Sequence, residues 1–142
     1  MIQVKIDKFD LLFLSNTKGI KVRKILFYLM VAFYLLAGSA HFIIPEFYYG
    51  MMPPYIPYHY EVNILAGVSE ILLALALLPK STRVFAAWGI ILLLIAVFPA
   101  NIQMSLNAYE SKDPKFLLTL IRLPFQILFL AWAWMFTKKD PA

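Results

Sequence analysis

Four stretches of this chain, residues 25–44, 62–78, 84–106 and 116–136, stay apolar for close to the ~20 residues a helix needs to cross a ~30 Å hydrocarbon layer. Few architectures accept such runs. A water-soluble domain of 142 residues would alternate shorter, amphipathic segments with polar faces, whereas 62% of this chain is hydrophobic and only 15% charged. The expectation is an all-α integral membrane four-helix bundle over residues 25–136. An amphipathic interfacial segment (1–24) precedes it and a cytoplasmic tail (137–142) follows. A secretory signal ending near Ala37-Gly38-Ser39-Ala40 is disfavoured, because apolarity runs on through Phe42-Ile43-Ile44.

Charge orients the bundle. Ten Lys and Arg side chains fall in residues 1–24, in the second connection (Lys80, Arg83) and in the tail (Lys138, Lys139), against two, Lys112 and Lys115, in the third connection. The positive-inside bias then predicts both termini in the cytoplasm of a bacterial inner membrane. Trp88, Trp132 and Trp134 mark the inner boundary, and the tyrosines of residues 45–61 the outer one. This topology accounts for the net charge of +5 without a nucleic-acid partner. The absence of cysteine excludes thiol–disulfide chemistry, iron–sulfur ligation and thiolate zinc sites in this chain. No phosphate-binding glycine loop, HExxH or GxSxG pattern occurs, so catalytic residues are left unassigned and no metal site is expected.

Polar residues inside the apolar runs carry the functional information. Glu70 and Arg122 each sit within a span, where an ionisable group costs at least ~2.5–3.5 kcal/mol and persists where it has a partner or a task. Helical spacing groups Asn63, Gly67, Glu70 and Ala74 on one stripe, Tyr34, Gly38 and His41 on a second, and Thr119, Arg122 and Gln126 on a third. Asn101 and Ser105 share a face just after Pro99, with Gln103 on another. At 1.5 Å per residue, Glu70, Arg122, Asn101 and His41 all lie in the outer half, between roughly 5 and 12 Å below the outer ends of their spans. Pro99 and Pro124 each leave a carbonyl one turn earlier without its helical donor. The prediction is one pocket bound by His41, Glu70, Asn101, Arg122 and Gln126, with Glu70 and Arg122 in a shared hydrogen-bonded network. That network closes directly or through Asn101, Gln126 or a water.

Residues 45–61 hold four prolines, seven aromatic rings counting histidine, and two methionines, with no Lys or Arg. Proline prevents a regular helix there, and so apolar a segment is expected to fold back over the bundle. Tyr48, Tyr49, Met52, Pro53, Pro54, Tyr55 and Tyr58 form the predicted cap. An anchor at the membrane interface is a compatible reading. Haem ligation by His41 and His59 is disfavoured, since one lies in a helix and the other in the proline-rich segment.

Several motifs are distinctive: His41-Phe42 with Pro45, Met52-Pro53-Pro54, Gly67 with Glu70, Phe98-Pro99-Ala100-Asn101 and Arg122-Leu123-Pro124-Phe125-Gln126. On these, residues 25–136 resemble the DoxX-like family of small bacterial membrane proteins. The resemblance implies a four-helix membrane bundle tied to respiratory redox work, as in a thiosulfate:quinone oxidoreductase subunit. It also brings in methylamine-utilisation proteins linked to disulfide chemistry. The lack of cysteine departs from that thiol-linked branch, so any redox role needs a carrier such as quinone, or a membrane redox partner. No covalent cofactor is expected.

Three functions remain open. The first is a subunit binding quinone or another lipophilic ligand within a membrane oxidoreductase system. The second is a structural or chaperone-like membrane protein, alone or as a homo-oligomer, in which the buried charges only brace the bundle. The third is a small-solute transporter, ranked last because no inverted repeat is evident.

Overall fold

The computed structural model describes residues 17–138. It contains five helices: α1 (Thr17–Ile43), α2 (Pro45–Tyr49), α3 (His59–Leu77), α4 (Arg83–Glu110) and α5 (Phe116–Trp134). The described residues contain no strand. Among the described residues four helices are long and apolar enough to cross a membrane: Gly19–Ile43, His59–Leu77, Arg83–Glu110 and Phe116–Trp134. Of the predicted interfacial segment, residues 17–24 form the first turns of α1, and residues 1–16 lie outside the described part. So does most of the predicted tail, residues 139–142.

Local chemistry sets the helix ends. α3 stops just ahead of Pro79, which has no amide donor to continue the ladder, although Leu78 before it keeps helical angles (φ −62°, ψ −51°). Its last carbonyls find donors in the next element: Thr82 Oγ1 to Ala76 O at 2.7 Å, and Arg83 Nε to Leu77 O at 3.1 Å. α4 ends with Lys112 in the left-handed region (φ 53°). There the amides of Lys112 and Asp113 bond back to Tyr109 O and Ala108 O, a Schellman closure made without glycine. The segment expected to be irregular contains the single turn of α2. Pro45 is its first residue, a position where no amide donor is needed.

The long helices run up, down, up and down. α1 packs on α3, α3 on α4 and α4 on α5, while the Cα atoms of α1 and α5 stay more than 8 Å apart throughout. Two glycines bring α1 and α3 together. A Cβ at Gly67 would stand 2.7 Å from His41 Cβ and 3.0 Å from Gly38 O, and one at Gly38 would stand 2.8 Å from Gly67 O. Small residues permit such backbone contact, which is the means by which apolar helices associate in lipid.

The core is lopsided. Met30, Leu77, Ile90, Ala86, Ala87, Ala133 and Phe136 fill the end that carries Lys80 and Arg83. Side chains bridge α1 to the end of α5 there: Trp132 Nε1 donates to Leu26 O at 3.2 Å, and Arg23 to Met135 O at 3.0 Å. Arg83 lies 4.1 Å from the ring centre of Phe27. Toward the other end, α1 and α5 meet only by longer side chains such as the stacked rings of Phe33 and Phe129, 4.9 Å apart. The outward faces are apolar almost everywhere, with Leu36, Ile43, Leu65, Phe85, Leu92, Leu117 and Ile127 among the exposed side chains.

Candidate functional site

The opposing stripes of α1 and α3 meet at the glycine crossing and place three polar residues in contact. His41 Nδ1 lies 2.7 Å from Asn63 Oδ1, and Asn63 Nδ2 donates to the His41 carbonyl at 2.8 Å. On the other side of the ring, His41 Nε2 faces Glu70 Oε1 at 3.6 Å. The rings of His41 and Tyr48 stack with centroids 3.7 Å apart. Tyr48 therefore closes the site from the α2 side. Burial and the Glu70 charge hold its phenol above the ordinary 10.0, with Arg122 opposing them.

A second polar cluster joins α4 to α5. Asn101 Nδ2 donates to Gln126 Oε1 at 2.6 Å, and Gln126 Nε2 donates to Leu94 O. Leu94 immediately precedes Ile95, the residue whose carbonyl loses its helical donor to Pro99, so the α5 side chain bonds α4 next to that break. Thr119 and Ser105 are buried but bond only to their own helices.

Between the two clusters lies a cavity of 310 Å³. Phe33, Phe47, Phe125, Phe129, Met51 and Val97 give it apolar walls, and Tyr34, His41, Glu70, Asn101, Arg122 and Gln126 supply its polar atoms. Two of these polar groups are buried and have no hydrogen-bond partner among the described residues: Glu70 Oε2 and the Tyr34 hydroxyl. Arg122 is exposed at the rim. Its Nη1 approaches the sulfurs of Met51 and Met104 at 3.5 and 3.3 Å, and its guanidinium stands 5.5 Å from the centre of the Phe47 ring. These are soft, weak partners for a group with five N–H donors.

Comparison with the sequence-based expectations gives a divided result. His41, Glu70, Asn101, Arg122 and Gln126 all line one cavity. Among the described residues neither a direct contact nor a bridge through Asn101 or Gln126 links Glu70 to Arg122: the carboxylate takes His41, and Asn101–Gln126 is a separate pair. The reason is the glycine crossing, which presses Glu70 against α1 while Arg122 projects from α5 to the rim. Of the predicted cap, Tyr48 and Met52 line the cavity and Pro53 is buried beneath the segment. Tyr49 and Pro54 do not line it, and Tyr55 and Tyr58 are more than 70% exposed. Tyr58 is turned away by its left-handed backbone (φ 60°) at the start of α3.

Sequence reasoning set Tyr34 and Asn63 on the right stripes but did not count them as site residues. The spacing carried that signal, because both share a face with a residue already selected. Phe33, Phe129 and Met51 gave no comparable signal among so many apolar neighbours. Among the described residues no three His, Asp or Glu side chains gather as a metal-binding group.

A family model described as "Domain of unknown function (DUF8561)" matches residues 30–137. No curated protein and no solved structure matches the chain. The matched stretch includes both glycines of the α1–α3 crossing and every residue that lines the cavity, from Phe33 to Phe129. On this match over most of its length, the chain belongs to the DUF8561 family.

Proposed function

We propose that this is a four-span membrane protein of the bacterial inner membrane, with both termini cytoplasmic, whose cavity binds a lipophilic molecule bearing oxygen acceptors. A quinone is the leading candidate. One observation carries the reading: an apolar cavity at the edge of the ligand-site size range, into which Glu70 Oε2, the Tyr34 hydroxyl and the Arg122 guanidinium converge without strong partners. Buried polar groups left unpaired cost about 1–3 kcal/mol each, and a ligand that meets them recovers that loss. A molecule with two carbonyls in a flat, apolar body suits donors on opposite walls and the surrounding phenylalanine rings. The outward apolar faces of all four long helices support a lipid surrounding. The resemblance to the DoxX-like family points toward the same redox setting, with a membrane redox partner receiving or supplying the bound carrier.

A second reading, a purely structural membrane subunit, draws on the His41–Asn63 and Asn101–Gln126 pairs, which clamp helices together whatever the cavity holds. A transporter is the weaker idea, because the packed end from Met30 to Phe136 closes the route beyond the cavity. Native mass spectrometry of the protein released from nanodiscs, with titration of decylubiquinone, separates the readings. Ligand binding predicts a retained isoprenoid or saturable decylubiquinone binding weakened tenfold or more by Arg122→Met. An empty protein that does not bind decylubiquinone leaves the structural reading.

A further inference from the structure

Two hydrogen bonds decide which nitrogen of His41 carries a proton. The backbone carbonyl of His41 can only accept, so the Asn63 atom 2.8 Å from it must be the amide nitrogen. The other amide atom, the oxygen, then lies 2.7 Å from Nδ1 and accepts, which makes Nδ1 the donor. In a neutral imidazole the remaining nitrogen, Nε2, holds a lone pair. That lone pair is aimed at Glu70 Oε1, 3.6 Å away, with the His41 and Glu70 side chains only 7% and 13% exposed. An ionised carboxylate opposite a bare Nε2 would set acceptor against acceptor where little water screens them. One further proton resolves the conflict, either on Nε2 as imidazolium or on Glu70 as the acid. The two sites then titrate as a pair rather than as separate residues.

We propose that His41 and Glu70 form one proton-holding unit at the floor of the cavity, kept loaded by Asn63, and that Glu70 passes its proton to the anionic oxygen of a bound quinone that a membrane redox partner has reduced. The first half stands on the two hydrogen bonds alone, and the second rests on the ligand-binding reading above. Glu70 Oε2 is the outlet, being buried, unpartnered and on the cavity wall beside the equally unpartnered Tyr34 hydroxyl. In the transfer, the bond between the shared proton and the pair breaks and an O–H bond forms on the ligand. The pair is left as a carboxylate and a neutral Nδ1–H imidazole, and no oxidation state changes. The other titratable or charged groups facing the unit are Tyr34 from α1, Tyr48 from α2 and Arg122 from α5. α4 offers Asn101, which does not titrate.

The test uses the full chain in lipid nanodiscs without ligand, combining infrared titration of the Glu70 carboxyl with nitrogen NMR of the His41 ring. At neutral pH the wild type should carry a proton on Nδ1 and one more on Nε2 or on Glu70. In Asn63→Leu the ring is free to place its only proton on Nε2, toward Glu70. The extra proton should then leave about one pH unit lower, a tenfold loss of proton affinity. In Glu70→Gln the side-chain amide can donate to Nε2, so the extra proton should be absent at neutral pH even if Asn63→Leu fails to fold. A folded wild type with bare Nε2 opposite an ionised Glu70 at pH 7 would overturn the proposal, as would an unchanged titration in Asn63→Leu. Decylubiquinone, bound and then reduced electrochemically, reads the second half. Loss of the extra proton from the pair on reduction supports transfer, whereas a pair that keeps it overturns the transfer step. No binding at all overturns the ligand reading and its transfer step while the loaded pair still stands.

Discussion

The two ends of this bundle are built from the same kinds of helix and have opposite properties. At the end bearing Lys80 and Arg83, Phe27, Met30, Leu77, Ile90 and Phe136 interlock, and arginines reach across to carbonyls and rings of neighbouring elements. At the other end the α1–α5 seam stays open, and polar atoms remain unpaired around an unfilled volume. Where contacts can be satisfied within the chain, packing closes. Where prolines, a guanidinium and a carboxylate enter the helices, the chain forgoes that packing. Close packing and the candidate site are thus divided between ends, the arrangement expected when a rigid base supports polar groups that are costly to keep.

The sharpest way to break this contrast is to truncate one aromatic at each end. Phe136→Ala, at the closed end, should cost about 3 kcal/mol or more in detergent unfolding, because it leaves a void among fixed neighbours. Phe125→Ala already faces the cavity and should change stability by less than about 1 kcal/mol. Equal losses at the two positions would mean that the open end is as tightly packed as the closed one.

A smaller effect concerns the crossing that joins the two regions. Gly67→Ala places a methyl group 2.7 Å from His41 Cβ and should cost about 1–3 kcal/mol through overpacking. It should also disturb the His41–Asn63 hydrogen bond. Gly50→Ala, whose nearest atom would be 3.7 Å away, should be neutral within about 0.5 kcal/mol. If both variants melt alike, the close approach of α1 and α3 does not hold the site together.

The smallest effect is a pH dependence at the lid. The Tyr48 phenol is held above its ordinary 10.0, first by burial and then by Glu70. Its folded value exceeds its unfolded one, so its contribution to stability is complete below pH 10 and fades as pH rises through the folded value. The wild type should therefore lose more stability than Tyr48→Phe as melts are carried above pH 10. Parallel curves would place Tyr48 off His41 and leave the cavity without that lid.

Helical periodicity made much of the site legible. The stripe of Asn63, Gly67 and Glu70 and the stripe of Tyr34, Gly38 and His41 follow from 3.6 residues per turn, and they meet in the structure at Gly38 and Gly67. Four apolar runs, and the placing of five polar residues around one cavity, were likewise within reach of spacing and depth alone. Partner choice was not. Glu70 and Arg122 have opposite charges and similar depths, so sequence logic joins them, yet Glu70 meets His41 and Arg122 rests on methionine sulfur. Depth fixes a residue's height in the bundle but not its azimuth relative to other helices. The azimuth is set by which backbones can touch, and two glycines decided that α1 would lie against α3. The direction of Tyr55 and Tyr58 was equally hidden: both are exposed, Tyr58 with a left-handed backbone, while Met52 and Ile56 of the same segment line the cavity. The sequence by itself therefore determined the long apolar helices, their polar faces and the height of the cavity in the bundle. Only tertiary packing, through contacts distant along the chain, decided which charges pair and which atoms are left open to a ligand.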